Sequence, residues 1–460
     1  MESESVTKPP DRFPEWTHRP LTIAAVGLIL GLVAGPLNLG LGLIAMLLAF
    51  RAKAMWAIGF AVIGFTLRPP AAVPVVTTSD FDGTAIIAAP PRRTPYATLV
   101  VVTTENHRLR MQLPPGATVT KGAVYAVRGQ MRPSSDSYGE SDIRQGIEGV
   151  LVPQKTGWKE VKAGPQFFAK AEELSLSFHR YLERFPTTEA ALMEALVTGN
   201  DGYLEDSVQI TLKKGGVLHL VAASGMQVQI FAVVLALLLR MIPIPRWCQI
   251  LILLVVLAFY AAIAGLAVSI LRAVVMASIE ALSPYFRRTY DSLSSLSFAA
   301  IILLIANPYW AMSPGFYLSF GGMLAIILAG AALRKHKPWE RESGKSLAAA
   351  VVTTPTTIYF FGSATPYGAV ATLALSYWAS ALMLLSLIGF TVERIGLWFI
   401  QRPIDFVCQA VARAFLDGVA SFAVLPGSYL TVSQVDPAWA AWSFFFIALA
   451  WRPALIESQD

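Results

Sequence analysis

In the apolar run GVLHLVAASGMQV, residues 216–228, three side chains can do chemistry: the His219 imidazole, the Ser224 hydroxyl and the Gln227 amide. Set among aliphatic residues, each costs free energy unless it faces a cavity, a partner or a substrate path. A histidine and a serine together raise the question of nucleophilic hydrolysis. Read as one continuous helix, however, their separation sets them about 140° apart, and the sequence shows no obvious third group to orient the imidazole. A second polar intrusion is Arg272 in AVSILRAVVMASIEAL, the one arginine well inside an apolar segment, with Glu280 two turns on. Cationic and hydrogen-bonding groups at that depth suit a path for a polar cargo. The alternatives are that Arg272 pairs with a carbonyl or with Glu280 to hold a bundle, and that His219 caps a broken helix near Gly225.

Other chemistries find less support. Gly344-Lys345-Ser346 ends like a phosphate-binding loop, but Trp339 stands where the first glycine belongs. His18, His107, His179, His219 and His336 are scattered, and none has a second ligand at metal spacing. Cys248 and Cys408 both lie in apolar stretches, so neither a disulfide framework nor a cysteine metal site is indicated. The expectation is a protein that is not itself an enzyme and uses no cofactor.

The elements that must position these residues follow from composition. With 55% hydrophobic residues, 14% charged and a mean hydropathy of +0.55, the chain reads as a polytopic α-helical membrane protein. Apolar segments at 21–35, 37–50 and 54–67 precede about nine more between 217 and 452, about twelve in all. The flank Met1 to Pro20 mixes acidic and basic residues, and a second apolar segment follows at once, so the first does not read as a signal peptide. Between these groups, after Arg68-Pro69-Pro70, come short β-branched runs: TAIIAAP, ATLVVVTT, HRLRMQL, AVYAVRGQM and IEGVLVPQ. Five strands with turns between them suit a small inserted β-barrel at 74–163. From Gln166 to Phe185 apolar residues recur at helical spacing, which predicts an amphipathic helix on the membrane surface, with further polar helices to 213. Alternate loops differ in charge: 307–315, 362–366 and 427–437 hold no Lys or Arg, whereas Arg51, Lys53, Arg240, Arg246, Arg287, Arg334, Arg394 and Arg402 fall in the other set. That parity places both termini in the cytoplasm and the β domain outside, with Arg68 as an exception.

HLVAASGMQV at 219–228 resembles the signature of the ComEC competence family, inner-membrane channel proteins of bacterial DNA uptake. SILRAVVM at 269–276, the segment 290–326 containing GFYLSF, and VVTTPTTIYFFGSATPYGAVATLAL at 351–375 are similar to further family blocks in the same order. The resemblance implies an OB-fold for the β domain and single-stranded DNA as cargo. It also implies partners: the lipid bilayer, a separate nuclease, a DNA receptor, and a cytoplasmic translocase or single-strand-binding protein. A homo-oligomer is compatible with it. Three departures stand out. Gln227 replaces a family histidine, Thr372 and Ser376 replace an asparagine and a proline, and no metallo-β-lactamase-like domain follows Arg452. On this reading His219, Ser224, Gly225, Gln227 and Arg272 line a DNA path. A small-molecule or ion transporter using His219 and Arg272, and a non-transporting scaffold, are the other classes.

The β domain adds a second candidate surface. Between Asp80 and Arg132 lie seven basic residues, Arg92, Arg93, Arg108, Arg110, Lys121, Arg128 and Arg132, against three acidic ones. With Tyr96, Tyr125 and Tyr138 as stacking faces these suit single-stranded DNA on a barrel. Ordinary core tyrosines under a solvated surface explain the same residues.

Overall fold

The computed structural model describes residues 76–432, apart from 106, 135–141, 143–144 and 222–223, together with 24, 25, 28 and 29. The expected segments at 37–50 and 54–67, most of 21–35, the charges at Arg51, Lys53 and Arg68, Tyr138 and everything after Val432 lie outside the described residues.

The β-branched runs form strands as their alternation dictates. They are β1 (Ser79–Ile87), the two-residue β2 (Arg92–Arg93), β3 (Thr98–Thr103), β4 (Arg108–Leu113), β5 (Val124–Arg132) and β6 (Gly149–Lys162). Along β3 and β4 every second residue is buried, the period of two that puts Val100, Val102, Leu109, Met111 and Leu113 into one core. The long strands close into a five-stranded barrel, because β1 pairs with β5 and also with β3. Around it the order is β1-β3-β4-β6-β5, antiparallel except where β4 meets β6. Strand β6 serves two neighbours because register shifts beside Val127 and Gly129 bend the sheet there. A β-carbon at Gly129 would strike the Val152 carbonyl, so the bend requires glycine.

Twelve helices follow in the described residues. The first three are α1 (Gln166–Leu182), α2 (Thr187–Thr198) and α3 (Asp206–Lys214), and the four-residue α4 (Leu218–Val221) comes next. The bundle proper is α5 (Gly225–Arg240), α6 (Arg246–Ile263), α7 (Val268–Leu282), α8 (Ser292–Ala306), α9 (Pro314–Ala332), α10 (Pro338–Phe361), α11 (Gly368–Ile395) and α12 (Trp398–Ala423). Four of these, α6, α9, α11 and α12, are long and apolar enough to cross a membrane, and α5 and α8 are apolar but shorter. Ala24, Ala25 and Leu28 pack into the core shared by α7, α8 and α9.

The C-terminal half of the apolar stripe of α1 is covered by protein, whereas Phe167 at its start is 40% exposed. Phe178, Tyr181 and Leu182 join one buried core with α2, with Ala371 to Phe390 of α11 and with Cys408 to Val419 of α12. The spacing of these residues is the same for either fate, and only packing distinguishes them. Helix α1 starts against the barrel, where Lys121 lies over the Phe168 ring at 4.9 Å. Two residues past its end, Arg184 pairs with Glu393 of α11 and Asp405 of α12. The 17 residues of the helix span about 26 Å.

Loops that lack Lys and Arg meet one another or the barrel. Tyr309, between α8 and α9, sits under Arg108 of the barrel at 5.9 Å. The short strands β7 (Ser363–Ala364) and β8 (Leu430–Thr431) pair and so join two more such loops.

Candidate functional site

The run 216–228 is not one helix. Gly216 takes a left-handed turn, φ +73°, against Gly368 and Thr365, and a β-carbon there would overlap the Gly368 backbone. Helix α4 then ends at Val221, and α5 begins only after Ser224, whose backbone is extended. The helical angle between His219 and Ser224 therefore does not apply. The His219 ring instead reaches α11, with Nε2 3.3 Å from the Thr372 hydroxyl. That hydroxyl donates to the Gly368 carbonyl at 2.6 Å, so it faces the imidazole as an acceptor. Thr372, one of the departures from the family pattern, thus partners the histidine of the signature. Among the described residues the His219 ring makes no hydrogen bond to the start of α5.

The residue that closes the break is Gln227, 1% exposed. Its carbonyl oxygen accepts from the Ser224 backbone N–H at 3.1 Å, and its Nε2 donates to the Leu220 carbonyl at 3.0 Å. Both ends of a buried amide are bonded, and leaving either open would cost about 1–3 kcal/mol. Gln227 is therefore a latch between α4 and α5. Ser224 occupies the N-cap position in a capping box with Gln227, and its buried hydroxyl oxygen faces the Gln227 backbone N–H without closing a hydrogen bond.

Arg272 of α7 is 7% exposed and lies beside that helix start. Its Nε donates to the Ser319 hydroxyl at 2.9 Å, Nη1 approaches the Met276 sulfur at 4.0 Å, and the guanidinium lies 5.9 Å from the centre of the Phe320 ring. Nη2 reaches Gly225 so closely that any β-carbon there would collide with it. No carboxylate pairs with Arg272 among the described residues, and Glu280 is not its partner. A buried guanidinium without a counter-charge carries a desolvation penalty of several kcal/mol. Three sequence blocks thus converge: the start of α5, Arg272, and Ser319-Phe320 of α9. Ser319 and Phe320 carried no role in the sequence reading. The one signal for them was the small hydroxyl of Ser319 between apolar neighbours in GFYLSF.

The barrel residues separate into two sets. Arg93 is 5% exposed and pairs with Glu172 of α1. Arg110 pairs with the buried Asp142, and Arg108 packs over Tyr309. Burial pushes the Arg93 and Arg108 guanidinium groups below their ordinary values. It also raises the Asp142 carboxyl, against the opposing pull of Ser134 and Arg110. Tyr125 is 2% exposed and offers no open face for a base. Its hydroxyl bonds Glu160 at 3.0 Å, and its ring packs on Trp158. These four serve the barrel and its seat on the helices. Toward solvent lie Tyr96, 89% exposed, Arg128 paired with Asp82 at 2.9 Å, and Arg132 bonded to Gln130. Arg92 pairs with Asp201, ahead of α3, at 2.8 Å. The excess of positive charge read from the sequence is therefore largely spent within the molecule.

The Gly344-Lys345-Ser346 triplet lies inside α10, where Lys345 pairs with Glu342 at 2.8 Å. A helix interior cannot wrap a phosphate as a glycine-rich loop does.

Comparison with known proteins places these segments. The family described as Competence protein matches residues 196–455, from the end of α2 onward and without the barrel. ComE operon protein 3 of Bacillus subtilis (strain 168) is 31% identical over 152 residues, 33% of this chain and 20% of that protein. The match thus covers about a fifth of the curated relative's length. No solved structure matches the chain.

Proposed function

The chain belongs to the competence protein family, and from that premise we propose that it is a membrane channel passing single-stranded DNA across the bacterial inner membrane during natural transformation. The observation that carries this reading is the acid-free arginine, Arg272, held by Gly225 and Ser319 where three motif segments meet. A strand crossing a bilayer must have its phosphates desolvated, and a fixed cation offsets that cost. A single cation with no cluster around it does so without binding tightly enough to stall the strand. Gln227 and His219 support the path by fixing the α4–α5 break and its contact with α11.

In this reading the barrel is an extracytoplasmic OB-fold. Its order β1-β3-β4-β6-β5, with one parallel pair between the third and fifth long strands, supports that assignment. Its contact with Tyr309 sets one Lys- and Arg-free loop beside it and the β7–β8 pairing joins the other two to each other, which supports an outward position and cytoplasmic termini. The channel is not itself an enzyme. A separate nuclease, a DNA receptor and a cytoplasmic translocase or single-strand-binding protein supply strand processing, capture and energy.

The test measures labelled external DNA that reaches the cytoplasm in nuclease-protected form, in the source organism with and without this chain. Loss on deletion, restored by wild type but not by stably expressed Arg272→Met, is the expected result. Undiminished uptake on deletion would reject the DNA reading in favour of a small-molecule cargo for the same arginine.

A further inference from the structure

Resting on that reading, we infer that the start of α5 and Arg272 form a binding site for one phosphodiester group, with Ser224 Oγ as its hydroxyl donor. Helix α5 is 16 residues long, and its first turn presents N–H groups and the positive end of its dipole. Arg272 brings a full positive charge against that same end. Two positive groups in contact inside an apolar bundle repel each other unless an anion lies with them. No carboxylate of the described residues supplies one.

A serine at the N-cap ordinarily turns its oxygen onto the first-turn N–H groups. Here Ser224 and Gln227 form a capping box in which Gln227 accepts from the Ser224 backbone N–H at 3.1 Å, while the Ser224 oxygen faces the Gln227 backbone N–H without closing a hydrogen bond, so its own proton is not spent on the helix. The hydroxyl is thereby free to donate to an anion. Ser319 holds Nε of Arg272 from the opposite side, which fixes the guanidinium plane and aims Nη2 at Gly225. Glycine at 225 admits that approach because it lacks a β-carbon. Guanidinium, helix N–H groups and hydroxyl are the donor set that recognises phosphate oxygens elsewhere.

A phosphodiester can come from a DNA strand or from a lipid headgroup, and one experiment separates them. The full chain in nanodiscs of zwitterionic lipid is followed by amide hydrogen exchange at Gly225–Val228. A decathymidylate is expected to slow exchange there about tenfold, the scale of one charge-assisted hydrogen bond, and its uncharged methylphosphonate analogue to have no effect. Arg272→Met abolishes the protection, and Ser224→Ala weakens it. The two wild-type probes decide the matter even where a variant folds poorly. Equal protection by the methylphosphonate strand, or no protection by either strand or by phosphatidylglycerol, overturns the site. Protection by phosphatidylglycerol alone keeps the site and removes DNA as its occupant. Failure of the uptake test with protection intact rejects the cargo but not the phosphodiester site.

Discussion

Arg93 and Arg110 in the barrel each lie against a carboxylate, Glu172 and Asp142, whereas Arg272 in the bundle is surrounded by a hydroxyl, a thioether and an aromatic ring. All three are removed from water, but only the first two are neutralised by their own protein. A paired buried arginine holds two surfaces together: Arg93 ties the barrel to α1, and its carbonyl packs against Gly202 ahead of α3. An unpaired one joins no acid on a second element, and its charge stays uncompensated among the described residues.

Exchanging each arginine for methionine breaks the comparison most sharply. Arg272→Met is expected to reduce DNA uptake at least about a hundredfold, two broken charge-assisted contacts at roughly tenfold each. Its thermal unfolding stays unchanged or rises, because a desolvated charge is removed and no carboxylate is stranded, only the neutral Ser319 hydroxyl. Arg93→Met strands Glu172, and a loss of about 3–5 kcal/mol at the barrel–helix junction is expected, read by denaturant unfolding of the full chain. A destabilised Arg272→Met with normal uptake would reverse the assignment. Gly225→Ala comes next in size. It forces Nη2 aside without removing charge, and uptake is expected to fall about tenfold with the expressed amount unchanged.

A smaller effect is expected from pH. His179 of α1 bonds Glu194 of α2 at 2.7 Å and stacks on Tyr203. The Glu194 bond holds its imidazole above the ordinary value, against burial and the Arg93 charge, with Glu183 adding to the rise. Because the folded value is raised, the stabilisation is fully present below the unfolded value of about 6.5 and is lost as pH rises through the folded one. Proteolysis of the α1–α2 hairpin should therefore be slower at pH 6 than at pH 8.5, and His179→Gln should flatten the difference. The smallest change belongs to Arg128→Ala. Its pair with Asp82 is more than two-thirds exposed on both sides, and about 0–1 kcal/mol is expected in unfolding.

Much of this was legible beforehand, and for one reason: period and composition are local. Alternation in ATLVVVTT and HRLRMQL marked β3 and β4, and hydrophobic content marked the membrane class. Arg272 stood out in SILRAVVM because nothing charged surrounds it in sequence. Ser224 and Gln227 likewise stood out as polar groups within an apolar run, although the angle between His219 and Ser224 was taken from one helix and the extended Ser224 interrupts it.

What the sequence could not determine was partnership. Ser319 lies 47 residues from Arg272 and Thr372 lies 153 from His219. The acids that neutralise Arg93 and Arg110 are reached only when the barrel closes and seats on α1. The spacing of the α1 stripe did not reveal that Phe178, Tyr181 and Leu182 pack against α11 and α12. The amino-acid sequence determined which groups are charged, apolar or able to bend. Tertiary packing alone decided which charges meet a counter-charge, because contacts across tens to hundreds of residues are selected by how whole elements fit together.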